Sequence, residues 1–305
     1  MTKQSIASEP QTYDQLVDRF LTWARGQEDI VGAFIIGSRA RTSVPADQWS
    51  DLDLVMVTTE PERYVTQTDW LTQIGPYWLT FLEKVAVGDG FERRVLFEGG
   101  LDVDFVPMPF DAYQQMSTEG WPAEILSVLQ RGYRVILDRQ GGELAKLLPP
   151  LDPTPSPPQP PTLDEFDNLC HDFLYHVVWM AKKLRRGELW MAKACVDDYM
   201  KWLLLRMVEW HAQARNGGML DTWHGGRFLE KWADPRVIDD LGQAFAHYDK
   251  ADLKRALLAT VDLFGWVAQE TAQELAYQYP TEADQQVTDW VIDCLEEIET
   301  RGPQE

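Results

Sequence analysis

Cysteine, histidine and basic residues are all scarce in this chain. Three cysteines, Cys170, Cys195 and Cys294, lie far apart with no CxxC spacing. That pattern predicts reduced, partly buried thiols and excludes a disulfide framework or a zinc finger. Five histidines, His171, His176, His211, His224 and His247, show no HExxH or similar ligand spacing and read as packing or surface residues, with His211 in its Trp-His pair as the exception to watch. No apolar run approaches the roughly 20 residues that span a bilayer, and the polar start MTKQSIASEPQTYDQ lacks the features of a signal peptide, so a cytoplasmic location without a membrane partner is expected. Lysine and arginine total 28 against 49 acidic residues, a formal charge of -21. Such a field repels phosphate backbones, which argues against nucleic acid as a partner, and it attracts small polycations.

What is abundant points to folded structure. Hydrophobic residues make up 45% of 305 residues, with 13 tryptophans, 12 phenylalanines and 10 tyrosines, enough to fill two ordinary domains. Eight of the 18 prolines fall in PPLDPTPSPPQPP, residues 149–161. This stretch is too proline-rich for helix or central strand and reads as a stiff linker between domains at 1–148 and 162–305. Before it, TYDQLVDRFLTWARG carries Tyr13, Leu16, Val17, Phe20, Leu21 and Ala24 at helical spacing, and Ile30–Ile36 is a short apolar strand. Residues 51–58 alternate as a strand, and 93–97 with 101–106 form a hairpin through Gly99-Gly100. The first domain is therefore predicted as α/β with a mixed sheet flanked by helices. After the linker the periodicity is helical almost to the end, predicting an all-α bundle.

The stretch GSRARTSVPADQWSDLD, residues 37–53, carries the chemistry. Residues two apart in a strand share a face and sit roughly 6.6 Å apart along it. Asp51 and Asp53 thus project together, and adjacent carboxylates repel unless a cation lies between them. With no histidine or cysteine nearby, the hard oxygens suit magnesium. Gly37 lets the backbone approach a ligand, and Ser38 stands where a helix start would offer amides to phosphate. LDVDFV, residues 101–106, supplies a third carboxylate: Asp104, flanked by apolar Val103 and Phe105, with Asp102 as its rival.

GSRARTSVPADQWSDLDLV, LFEGGLDVDFVPM, EFDNLCHDFLYHVVWMAKKLRRGELW, LLLRMVEWH and AYQYP together resemble the aminoglycoside 6-adenylyltransferases, the streptomycin-modifying group of the polymerase-beta-type nucleotidyltransferases. The resemblance spans nearly the whole chain. It implies transfer of AMP from ATP to a hydroxyl of a cationic aminoglycoside such as streptomycin, in a monomer, with two magnesium ions. Asp51, Asp53 and Asp104 match its metal-binding and catalytic carboxylates; Gly37, Ser38 and Arg39 match its nucleotide loop, which Ser50 joins. Lys201 stands where a triphosphate contact is expected. Ala40 and the pair Asp197-Asp198 depart from the family pattern.

Trp190, Asp197 and Lys201, seven and four residues apart, are expected on one side of a long helix and facing substrate. Glu188 is a further acidic candidate for substrate contact, with a surface position as its simpler reading. Asp164 and Asp167 are acidic candidates that read more simply as surface residues, and Arg227 and Lys231 either reach the cleft or cap a helix. Two other functions stay open: a different acceptor, small molecule or protein side chain, or a binding protein without turnover.

Overall fold

In the computed structural model of the chain, the described residues are 11–41, 46–86, 88, 90–151, 158–222 and 225–300. The chain divides into two compact units, Met1–Pro155 and Ser156–Glu305. Residues 152–157 of the proline-rich stretch and His224 lie outside the described residues.

Among the described residues, the first unit is built on six strands: β1 (Ile30–Ile36), β2 (Leu52–Thr58), β3 (Tyr77–Lys84), β4 (Phe91–Phe97), β5 (Leu101–Pro109) and β6 (Arg134–Asp138). Their order in the sheet is β3-β4-β5-β2-β1-β6. β2 and β5 run parallel and the other neighbours antiparallel, so the sheet is mixed. Alternation assigns each face its own core. Leu52, Leu54 and Met56 pack with Leu16 and Phe20 of the Tyr13–Ala24 helix, while Val55 and Val57 pack with Phe34, Tyr113 and Leu129 on the opposite face. The Tyr13–Ala24 helix starts at a capping box in which Thr12 and Gln15 satisfy each other's backbone amides. The β4–β5 turn needs its glycines, since Gly99 and Gly100 have φ of 88° and 75°.

β3 has no counterpart in the sequence reading. It is an edge strand, and Trp78, Leu79, Phe81 and Leu82 are all exposed, so no alternation betrays it.

The second unit is helical, as the periodicity predicts. Its principal helices are Leu163–Arg185, Met200–Arg215, Pro235–Ala244, Lys250–Leu275 and Thr281–Thr300. Phe173 of the first stacks on Phe264 of the fourth with ring centroids 3.7 Å apart, inside a core that includes Val177, Met180, Leu204, Met207 and Leu257. Thr162 and Glu165 form another capping box at the start of Leu163–Arg185. Leading into Met200–Arg215, the short helix Leu189–Ala194 passes through a π turn, Cys195–Tyr199, where the hydrogen bonds span five residues instead of four.

Candidate active site

Strand pairing gathers the aspartates. Asp53 on β2 lies opposite Ile36 at the end of β1 and, across the parallel ladder, opposite Asp104 on β5. Asp51, two residues upstream of Asp53, joins them, and one carboxylate oxygen of each lies within 4.8 Å of the others. Asp102 is not in this group: it is exposed and accepts a 2.6 Å hydrogen bond from the Tyr13 phenol. The structure thus places Asp104, only 7% exposed, with the pair.

The cluster is electrostatically loaded. Burial, then the charges of Asp51 and Asp104, push the Asp53 carboxyl up to about 7. Burial likewise raises Asp104 to about 6, with the Arg94 guanidinium pulling the other way. Arg94 lies across the β4–β5 ladder from Asp104 and ion-pairs with it at 3.4 Å. Three crowded carboxylates, all hard oxygen donors with no nitrogen or sulfur among them, fit a divalent cation such as magnesium.

Gly37 makes the close approach possible. Its φ is 68°, and a Cβ built there would lie 2.1 Å from Asp53 Oδ2, so an alanine would collide with the cluster as well as strain the backbone. Gly37–Arg39 forms a single 3-10 turn, with the Ala40 and Arg41 amides donating to the Gly37 carbonyl. Ser38 is 5% exposed, and its hydroxyl has no hydrogen-bond partner among the described residues. It lines a cavity of about 260 Å3 together with Arg39, Arg41 and Arg134, a basic hollow in an acidic chain.

Arg39 and Ser50 build the loop that delivers Asp51. Arg39 donates from Nε to the Asp51 carbonyl (2.9 Å) and from Nη2 to the Ser50 carbonyl (2.6 Å), with its guanidinium over the Tyr13 ring at 3.7 Å. Ser50 accepts from the Asp47 amide and donates to the Asp47 carboxylate, both at 3.0 Å.

The helical unit treats its expected site residues differently. Lys201 donates to the Val196 carbonyl (2.7 Å) and to Thr260 Oγ1 (2.8 Å), and burial pushes its amine down to about 8. Asp197 pairs with Lys193 and accepts the Ala246 amide at 3.3 Å. Glu188 is held by Lys183 (2.7 Å) and Arg186 (2.5 Å). Trp190 is 74% exposed. Asp197 and Lys201 line a cavity of about 410 Å3, and Trp190 is not among its lining residues.

Of the remaining candidates, Asp164 is exposed and Asp167 half-buried. Arg227 and Lys231 lie against the Phe228 ring. His211 is buried and bonded through Nε2 to Glu270 (2.9 Å). The sequence reading passed over Arg94, Glu83 and Glu92, although an Arg-Arg pair in a strand has to send one guanidinium to each face.

A sequence model described as streptomycin adenylyltransferase matches residues 11–294. The aminoglycoside 6-adenylyltransferase of Campylobacter jejuni is 24% identical over 294 residues, covering 94% of this chain and 96% of the relative. That of Bacillus subtilis (strain 168) is 24% identical over 276 residues, covering 87% and 92%. The crystal structure of an aminoglycoside 6-adenyltransferase from Bacillus subtilis aligns at 19% identity, with 93% and 99% of the two chains covered and a TM-score of 0.44.

Proposed function

The chain belongs to the streptomycin adenylyltransferase family, and on that premise we propose that it transfers AMP from ATP to a hydroxyl of an aminoglycoside, the 6-hydroxyl of streptomycin, and so inactivates the antibiotic. One observation carries the reading. Three carboxylates, brought together from the approach to β2 and from two parallel strands, meet beside a glycine that no other residue can replace without collision.

Asp51, Asp53 and Asp104 would hold two magnesium ions. When bound, magnesium supplies the positive charge that steadies the triphosphate and the attacking and leaving oxygens. The residues of the chain do the rest. Ser38 and Arg39 of the turn line the basic cavity where phosphates would sit, and the Ser38 hydroxyl, unpartnered among the described residues, is available to donate to a phosphate oxygen. Arg39 and Ser50 keep Asp51 aimed through the loop they close. Asp104 takes the proton of the acceptor hydroxyl as that oxygen attacks the α-phosphorus and pyrophosphate leaves.

For the acceptor, Trp190 is exposed and offers a ring face to a sugar. Glu188 and Asp197 engage an amine of the acceptor by exchanging it for the lysines they now hold, and Lys201 reaches a phosphate only by leaving Val196 and Thr260. The charge of -21 draws in a cationic drug.

The test is pyrophosphate release by purified protein with ATP, magnesium and streptomycin, beside Asp53→Asn. Streptomycin-dependent release is expected, with a loss of roughly a thousandfold in the variant, several kcal/mol of charge stabilisation. Magnesium-dependent ATP binding without release would sink streptomycin as the acceptor. Full activity in Asp53→Asn would sink the site.

A further inference from the structure

Arg93 and Arg94 are neighbours on β4, and alternation gives them opposite duties. Arg93 is buried and donates to the carbonyls of Tyr64 and Val65 and to Thr80 Oγ1. Arg94 turns to the face that carries the aspartates. Its Nε lies 2.8 Å from Glu83 Oε2 on β3 and 2.8 Å from Glu92 Oε1 on its own strand, while Nη2 lies 3.4 Å from Asp104 Oδ2. The ladders explain the convergence: Glu83 pairs with Glu92, and Arg94 pairs with Asp104. The planar guanidinium is thus tied by two glutamates and reaches Asp104 with another nitrogen, an arrangement that a single ammonium cannot reproduce.

We propose that Arg94 is a positioning residue for the metal site: anchored by Glu83 and Glu92, it holds the Asp104 carboxylate in place beside Asp51 and Asp53, so that the third ligand is set before any ion arrives. The inference rests on the metal-binding role proposed above for the three aspartates.

Two physical effects of Arg94 have opposite signs. Its charge repels a divalent cation, so if charge were its only contribution, removing it would tighten metal binding. Its grip on Asp104 works the other way, since losing a partner that orients a metal ligand typically weakens affinity about 10–100-fold. The sign of the change therefore separates a positioning residue from a neutralising one.

The experiment titrates Mn2+ alone into the full chain by isothermal calorimetry, comparing wild type, Arg94→Gln and Arg94→Lys, with circular dichroism to check folding. Arg94→Gln is expected to bind about tenfold more weakly or worse. Arg94→Lys, which keeps the charge and loses the fork, is expected to stay several-fold weaker than wild type. Equal or tighter binding by Arg94→Gln, or wild-type binding by Arg94→Lys, would overturn the proposal. If Arg94→Gln does not fold, Arg94→Lys decides alone. A wild-type chain that does not bind Mn2+ would instead remove the metal reading itself. In turnover assays the positioning role lowers kcat and leaves the acceptor KM unchanged.

Discussion

The two units handle buried charge in opposite ways. In the helical unit the carboxylates singled out from sequence are matched by cations of the same unit, Asp197 by Lys193 and Glu188 by Lys183 and Arg186, while the buried Lys201 is held by a carbonyl and a hydroxyl. In the sheet unit three aspartates crowd together, and among the described residues only Arg94 forms an ion pair with any of them. Matched charge stabilises the fold, whereas crowded like charge opposes it and is relieved by a ligand. The contrast separates residues that hold the protein together from residues kept ready for chemistry.

The sharpest way to break this contrast is the stability of Asp53→Asn without metal. Asp53 has its folded pKa raised from 3.8 to about 7. Its contribution is fully present below 3.8 and is lost as pH rises through about 7, so at pH 8 the folded chain carries the whole burden. In EDTA at pH 8, Asp53→Asn should be more stable than wild type by on the order of 3 kcal/mol, read by calorimetry. A destabilised variant would show that the cluster is structural.

Lys201 gives the next largest effect. Its folded pKa is depressed from 10.5 to about 8. The unfolded chain then binds more protons between those values, and stability rises with pH across that window. Wild type should gain on the order of 2 kcal/mol from pH 8 to 10.5 relative to Lys201→Met. Parallel pH profiles of the helical unit's melting transition would contradict the burial of this amine.

Asp197→Ala leaves Lys193 and the Ala246 amide without their partner. It should lower the stability of the helical unit by about 1–3 kcal/mol in urea denaturation. Unchanged stability would show that the contacts of Asp197 with Lys193 and the Ala246 amide do not hold the unit together. Trp190→Ala, at an exposed position, should alter stability by less than about 0.5 kcal/mol, yet raise the acceptor KM in the pyrophosphate assay. An unchanged KM would remove Trp190 from the acceptor's path.

Much of the sheet unit was legible because its signals are local. The apolar run 30–36 is β1, residue for residue, and the alternation through 51–58 both marks β2 and puts Asp51 and Asp53 on one face. Gly99-Gly100 marked the turn because both residues adopt positive φ. What escaped depends on pairing or on interrupted period. β3 shows no pattern because its apolar side chains face solvent. Arg94 matters only through the ladders that bring Glu83 and Asp104 to it from other strands. On the helical side, a strict 3.6 period cannot foresee the π turn at Cys195–Tyr199. The Lys193–Asp197 pairing was readable as an i,i+4 pair.

The π turn at Cys195–Tyr199 bears on how this gene can change length. A turn wider by one residue accommodates an extra amino acid while the helices on either side keep their packing faces. Loss of one codon inside the turn would tighten it to an ordinary α turn and leave Ala192 and Leu204 on the core they already line. The same loss further along, within 203–208, would swing every following residue about 100° around the axis and pull Met207 and Val208 out of the interior. Within this helical stretch, lineages that gain or lose a residue should do so at the turn.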